Sequence, residues 1–342
     1  MKEARLWHSL EDTTLRCVLC AHRCRIADND FGICGVRQNQ GGTLYSLVYG
    51  LLVAQAVDPI EKKPLYHFYP ESTAYSVATV GCNFRCAFCQ NADISQSPRD
   101  HGRIVGRHTE PEDVVRAAKQ YGSRSIAYTY GEPTMFYEYS LDIGRLAHQE
   151  GIANVYVSNG YMTPEMLDEA NPADEPGLID AANIDLKSFR DVFYRQQCGA
   201  RLQPVLDSLK TLKARNVWLE VTTLIIPGLN DSEEELGDIA RFIVTELGPD
   251  TPWHVSRFHP TYRMMDRPST PVDTVSRARE IGLEAGLHYV YIGNVPGSGA
   301  EDTICPHCGH VVIHRAGYTV VRYDADGGTC GRCGGHIAGV GL

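Results

Sequence analysis

Six apolar stretches recur along the middle of the chain: AYSVATV (74–80), SIAYTY (125–130), ANVYVS (153–158), AANIDL (181–186), WLEVTTLII (218–226) and WHVSRF (253–258). They are rich in β-branched and aromatic residues and predict buried strands. Helical patterns lie between them. After Pro111, the residues Val114, Ala117, Ala118 and Tyr121 share one face, and SEEELGDIARFIVTEL (232–247) starts with a serine cap and glutamates in its first turn. A further helix at about 272–286 precedes a last strand, YVYIG (289–293). Strand and helix alternating six or seven times imply parallel pairing with right-handed crossovers. There are fewer units than the eight of a full TIM barrel, so the expected class is α/β with an incomplete (β/α)6-type barrel, a doubly wound sheet being the other solution.

Length and charge narrow the picture. A chain of 342 residues accommodates one large domain with appendages. The net charge is -10 and the basic residues are scattered, which argues against a nucleic-acid partner. No uncharged apolar run approaches a membrane span, and MKEARLWHSL lacks the apolar core of a signal peptide, so a soluble, cytoplasmic protein is expected.

Twelve cysteines would suggest disulfides in a short secreted chain, but eleven of these fall in CxxC-like clusters, which points to metal binding. They define three zones. Residues 1–70 carry Cys17, Cys20, Cys24 and Cys34; residues 71–298 carry Cys82, Cys86, Cys89 and a lone Cys198; residues 299–342 carry Cys305, Cys308, Cys330 and Cys333. The last four sit in paired CxxCG knuckles and predict a four-thiolate site of the zinc-ribbon kind, or a rubredoxin-like iron site. The first four suit zinc or a second [4Fe–4S] cluster. Cys198 reads as a small buried apolar residue.

GCNFRCAFCQN (81–91) is different, because three cysteines are offered and no fourth. A structural zinc site needs four ligands, and the nearest candidates, His101 and His108, follow at no familiar spacing. Three cysteines on a cluster of four irons leave one iron open to something other than protein. The loop follows the first buried strand, at the end of an α/β sheet where active sites are built.

With Phe88 just before its last cysteine, this triplet resembles the cluster loop of the radical S-adenosylmethionine (SAM) superfamily, whose open iron chelates the amino and carboxylate groups of SAM. The resemblance implies further contacts to SAM at the strand ends. In YGEPT, Glu132 would receive the methionyl ammonium beside Gly131 and Pro133, with Tyr130 in place of the first glycine of the family element. Ser158 and Asn159 of VSNGY, Asp185 and Lys187 of NIDLK, His259 of SRFHP and Asn294 of IGN would follow around the cofactor. Where the similar pyruvate formate-lyase activating enzymes carry Asp-Thr-Asn-Gly at their monovalent-cation site, this chain has Val157-Ser158-Asn159-Gly160.

The cysteine sets, DPIEKKPLYHFYP (58–70) and YIGNVPG (291–297), in this order, resemble the radical SAM enzyme of the AmmeMemoRadiSam system. That resemblance implies Memo-like and AMMECR1-like partners and a reductant such as flavodoxin or ferredoxin. Glu61, Lys62, Lys63, Tyr66 and His67 read either as a lid or as a charged linker. The expected activity is reductive cleavage of SAM at a [4Fe–4S] cluster, giving a 5′-deoxyadenosyl radical that abstracts hydrogen from a substrate. The alternatives are an activating enzyme for a glycyl-radical enzyme and a non-catalytic zinc-binding scaffold.

Overall fold

The computed structural model describes residues 1–295 and 297–342; Pro296, within YIGNVPG, lies outside the described residues. Its centre is an eight-stranded sheet: β1 (Ala54–Pro59), β2 (Thr73–Ala78), β3 (Ser125–Tyr128), β4 (Ala153–Ser158), β5 (Ala181–Asp185), β6 (Trp218–Ile225), β7 (Trp253–Arg257) and β8 (Val290–Gly293). Strands pair in chain order, β2 to β8 all parallel and β1 antiparallel to β2. β8 and β1 are the two edges of the sheet, so no closed barrel forms. All seven predicted strands are present. The edge strand β1 is an addition, and it draws residues assigned to the N-terminal zone into the central sheet.

Each crossover carries a helix: α1 (Pro111–Gln120), α2 (Tyr137–Gln149), α3 (Pro164–Ala170), α4 (Gln203–Ala214), α5 (Glu233–Phe242) and α6 (Val272–Glu284). Local chemistry starts several of them. Ser232 Oγ accepts from Glu235 N at 3.3 Å, and Thr163 Oγ1 accepts from Met166 N at 3.2 Å with proline in the first turn. On α1, Val114 and Ala118 are fully buried, whereas Tyr121 is 60% exposed. The helix ends at Gln120, so Tyr121 leaves the apolar face and stacks on Tyr75.

The open side of the sheet exposes an interior that something must fill, and residues 60–70 with the C-terminal region fill it. Glu220 of β6, fully buried, accepts from the backbone N of Tyr66 at 2.9 Å and of His67 at 2.7 Å, and from His254 Nε2 at 2.6 Å. Arg315, on the C-terminal strand Val311–Ala316, is 2% exposed. It donates to Tyr66 O and Thr303 Oγ1, both at 2.8 Å, and its Nε stands 3.6 Å from the buried Glu61 carboxylate. The hydroxyls of Thr303 and Tyr291 continue the chain to His67 Nε2, while His67 Nδ1 donates to Ala338 O at 2.7 Å. That carbonyl only accepts, so His67 is the neutral Nδ1–H tautomer. Residues 58–70 are thus neither a lid nor a solvated linker over most of their length. They are a buried strut, with Lys62 exposed and Lys63 to Phe68 mostly inside.

The N-terminal region forms two three-stranded antiparallel sheets whose Leu15, Leu19, Ile26 and Val36 join the main apolar core. A buried ion pair between Arg37 and Glu138 ties it to α2.

Two outcomes test this joint. Arg315→Ala strands the Glu61 carboxylate in the interior and should cost about 3–5 kcal/mol, read as a lower unfolding midpoint and earlier proteolysis within residues 60–70. Burial holds His67 down to about 4, from 6.5, so on acidification the unfolded chain takes up its proton first. Glu220, held low by His254 and His67 against its burial, acts in the same direction further down. The unfolding temperature should therefore fall as pH drops from about 6.5 toward 4. A His67→Asn variant, weaker at neutral pH, should lose less on acidification; an unchanged slope would remove His67 from the account.

Candidate functional site

The C-terminal ends of the parallel strands surround a cavity of about 320 Å³. The loop after β2 contributes Cys82, Cys86 and Cys89, and opposite them stand Glu132 after β3, Ser158 and Asn159 at the end of β4, and Asp185 and Lys187 at the end of β5. Phe88, Gly131 and Asn294 complete the predicted residues on its wall. Two predicted residues lie outside that lining. Pro133 is buried in the first position of the short turn Pro133–Phe136, and His259 is exposed with its Nδ1 at 3.0 Å from Ser269 Oγ. A larger cavity of about 420 Å³ lies at the other end of the sheet, around Asp180, Lys213 and Trp218, and contains none of the predicted residues.

Backbone geometry brings the cysteine loop and the Glu132 loop together. A Cβ on Gly131 would lie 2.9 Å from Thr79 O, and one on Gly81 2.6 Å from Val36 Cγ1. Only glycine permits both approaches. Glu132, 2% exposed, is held by four donors: Thr134 N at 3.1 Å, Thr134 Oγ1 at 2.6 Å and Ser158 Oγ at 2.7 Å on Oε1, and Asn159 N at 2.9 Å on Oε2. Burial raises its pKa in spite of these donors. Oε2 accepts only one of these bonds and so keeps capacity for another donor.

The thiols are prepared for ligation by the groups around them. Phe84 N donates to Cys82 Sγ at 3.3 Å, Asn159 Nδ2 reaches the same sulfur at 3.7 Å, and Ser95 Oγ lies 3.1 Å from Cys89 Sγ. Cys198 is not an isolated core residue. It contacts Cys86, and that contact, with burial, pushes the Cys86 thiol well up. Lys187 donates to Asp185 at 2.8 Å and stands 5.9 Å over the Phe88 ring; burial lowers its pKa, but Asp185 and Cys86 more than reverse this.

Several contacts on the wall were not foreseen. Lys63 donates to Asp58 at 2.7 Å beneath the ring of Tyr130, whose backbone is left-handed at φ 61° and whose hydroxyl also reaches Asp58. Burial draws the Lys63 ammonium down to about 8 although Asp58 opposes it. Tyr318, at the tip of the C-terminal hairpin, reaches the cavity from a different region of the chain. No local pattern in the sequence signals these contacts.

A model of the radical SAM superfamily matches residues 76–243, which span this cavity's first wall and most of its second. This stretch belongs to the radical SAM superfamily. The chain is 44% identical to the uncharacterized protein MJ0808 of Methanocaldococcus jannaschii over 98% of this chain and 99% of that one. It is 24% identical to the pyruvate formate-lyase 1-activating enzyme of Escherichia coli strain K12, over 47% of this chain and 65% of the relative. The fold is similar to a radical SAM methyltransferase from Sphaerobacter thermophilus, with a TM-score of 0.51 and 18% identity over 66% of this chain and 67% of that one. Members of the radical SAM superfamily are enzymes, and the family implies SAM and a [4Fe–4S] cluster. Its activating enzymes generally use a reductant such as flavodoxin.

The radical SAM triplet fits a cluster by its chemistry, since three thiolates share one cavity wall while the facing wall carries a carboxylate and an ammonium. The C-terminal set fits something else. Its four sulfurs lie within 4.8 Å of one another, with Cys305 to Cys333 at 3.7 Å and Cys308 to Cys330 at 3.9 Å. A tetrahedral ion with metal–sulfur bonds of about 2.3 Å sets its sulfurs about 3.8 Å apart. The two knuckles are also built alike, with Gly309 N donating to Cys305 O and Gly334 N to Cys330 O. This group can bind one metal ion.

Gly131→Ala should force the two loops apart at Thr79 O, costing about 1–3 kcal/mol. Thermal unfolding and iron uptake at the triplet should fall together; a variant with normal uptake would show that the close approach is dispensable.

Proposed function

We propose that Cys82, Cys86 and Cys89 hold a [4Fe–4S] cluster with one iron open to SAM, and that the enzyme uses it for hydrogen abstraction from a substrate. The observation that carries this reading is the three-cysteine wall facing Glu132 and Lys187 across one cavity. When bound, cluster and SAM supply one-electron reductive cleavage to methionine and a 5′-deoxyadenosyl radical.

The chain's own residues bind and orient. Glu132, fixed by Thr134, Ser158 and Asn159, presents Oε2 to the methionyl ammonium. Lys187, fixed by Asp185, offers its charge to the methionyl carboxylate. Asn159 links the two walls, since it binds Glu132 through its backbone and Asn83 Oδ1 through its side chain at 2.7 Å. Phe88 and Leu224 keep the wall apolar where a radical must be shielded from water, and Lys62, Lys63 and Tyr318 border the side from which a substrate enters. The C-terminal set takes zinc or iron. Memo-like and AMMECR1-like proteins are the partners of this reading.

The relation to the pyruvate formate-lyase 1-activating enzyme favours a second reading, in which the hydrogen comes from a backbone glycine of a partner enzyme. An EPR doublet on a co-purified large partner would support it. In a third reading the protein is a zinc-bound scaffold, colourless and indifferent to SAM.

EPR of the dithionite-reduced, anaerobic protein, with and without SAM, tests the proposal. A reduced-cluster signal should appear, shift on adding SAM, and lose its SAM-sensitive part when Cys82, Cys86 and Cys89 are changed to alanine. Zinc at the triplet with no response to SAM would overturn the proposal and leave the scaffold.

A further inference from the structure

Four thiolates on one metal ion stand close together, whereas the ligands of an iron–sulfur cluster hold separate irons and stand further apart. The molecule contains a standard for the first. The C-terminal sulfurs gather within 4.8 Å of one another. Among the described residues the triplet does not gather three sulfurs so tightly, and neither does the set Cys17, Cys20, Cys24 and Cys34. The N-terminal four are therefore not drawn around a single point as the C-terminal four are.

They nevertheless form one buried constellation. Cys17, Cys20 and Cys34 are 6–7% exposed, and Cys17 N donates to Cys24 O at 2.9 Å, which brings the two ends of the first three-cysteine run together. A buried cation faces them: Arg37, 1% exposed, reaches Cys17 Sγ with Nη1 at 3.6 Å, and its Nε has no partner among the described residues. Ile33 N donates to Cys24 Sγ at 3.5 Å. Such donors and such a charge suit an anionic thiolate-ligated centre. Four protein thiolates leave no iron open, so electron transfer, not binding of SAM, is the chemistry available there.

The constellation lies directly against the triplet loop. His22 follows Cys20 by two residues, and its Nε2 is 2.8 Å from the carbonyl of Asn83, next to Cys82. Arg99 donates to Ile33 O at 3.1 Å and to Phe84 O, joining the residue before Cys34 to the same loop. On the outer side the half-buried Cys24 and the exposed Phe31 and Ile33 place the edge of the set near the protein surface.

We propose that Cys17, Cys20, Cys24 and Cys34 hold an iron–sulfur cluster that relays single electrons to the cluster on Cys82, Cys86 and Cys89. One electron passes from a reduced carrier of the ferredoxin or flavodoxin class to the N-terminal cluster and on to the triplet cluster. Each donor is oxidised as the next centre is reduced, and no bond breaks in the relay. The inference rests on the radical SAM reading only for the electron's destination.

The test uses the full chain with Cys82, Cys86 and Cys89 changed to alanine, reconstituted anaerobically with iron and sulfide. It should retain acid-labile sulfide and a reduced-cluster EPR signal insensitive to SAM, both lost on adding Cys17→Ser and Cys34→Ser. Because the serine variant can fail to fold, the wild-type chain gives a second measure: it should contain four sulfides per chain more than the triple-alanine chain, which itself retains at least two. Zinc without sulfide at the N-terminal set would overturn the site. For the relay, His22→Ala in the otherwise intact chain should slow carrier-driven reduction of the SAM-sensitive signal while both clusters remain. An unchanged rate in that variant and in one lacking the N-terminal cluster would overturn the relay. Retained sulfide in the triple-alanine chain, with no response of the wild type to SAM, would keep the site and sink the radical reading instead.

Discussion

A parallel sheet that stops short of closure has an interior with one open side, and buried polar groups on that side must find partners from elsewhere in the chain. Here the partners come from residues 60–70 and from the C-terminal region. Glu220 accepts from two backbone amides and from His254, and Arg315 crosses from the metal-binding region to hold Tyr66, Thr303 and Glu61. The gap is therefore filled by a polar joint in which every member depends on the next. Because such a joint is costly when half made, the C-terminal region and the central sheet are bound into one structure.

The same joint shapes the cavity above it. Residues 58–63 leave the buried network and reach the cavity rim within one short turn, where Lys63 meets Asp58 and Tyr130. The hairpin that carries Arg315 also carries Tyr318 to that rim. The three-cysteine wall is positioned from another direction, by two glycines and by the donors of Ser95, Asn159 and Phe84.

Three cysteine sets in one chain show how sulfur spacing encodes different chemistry. Paired knuckles with matched turns close four sulfurs around a single point, which is a geometry for one ion. The triplet and the N-terminal four hold their sulfurs further apart. The triplet faces a cavity with room for a ligand, whereas the N-terminal four are enclosed by Arg37, Tyr161 and the triplet loop.

The sequence by itself determined the strand–helix alternation, the seven parallel strands and the residues at their C-terminal ends, because burial on both faces forces continuous apolar runs and parallel pairing puts those ends on one side. It also determined the triplet and the knuckles, whose ligands lie within a few residues of each other. Tertiary structure alone decided what depends on long-range contact. The antiparallel edge strand β1 lacks an apolar run, and Tyr121 fell off its helix face because the helix stopped one residue earlier. Pro133 and His259 follow the right strands but are turned from the cavity by the local chain path. Tyr318, Lys63 and Cys198 reach the site across separations that no periodicity records. The fate of 58–70 was undecidable from its charges, since Glu61 and Lys63 look solvated until Arg315 and Asp58, distant in one case and local in the other, are folded against them.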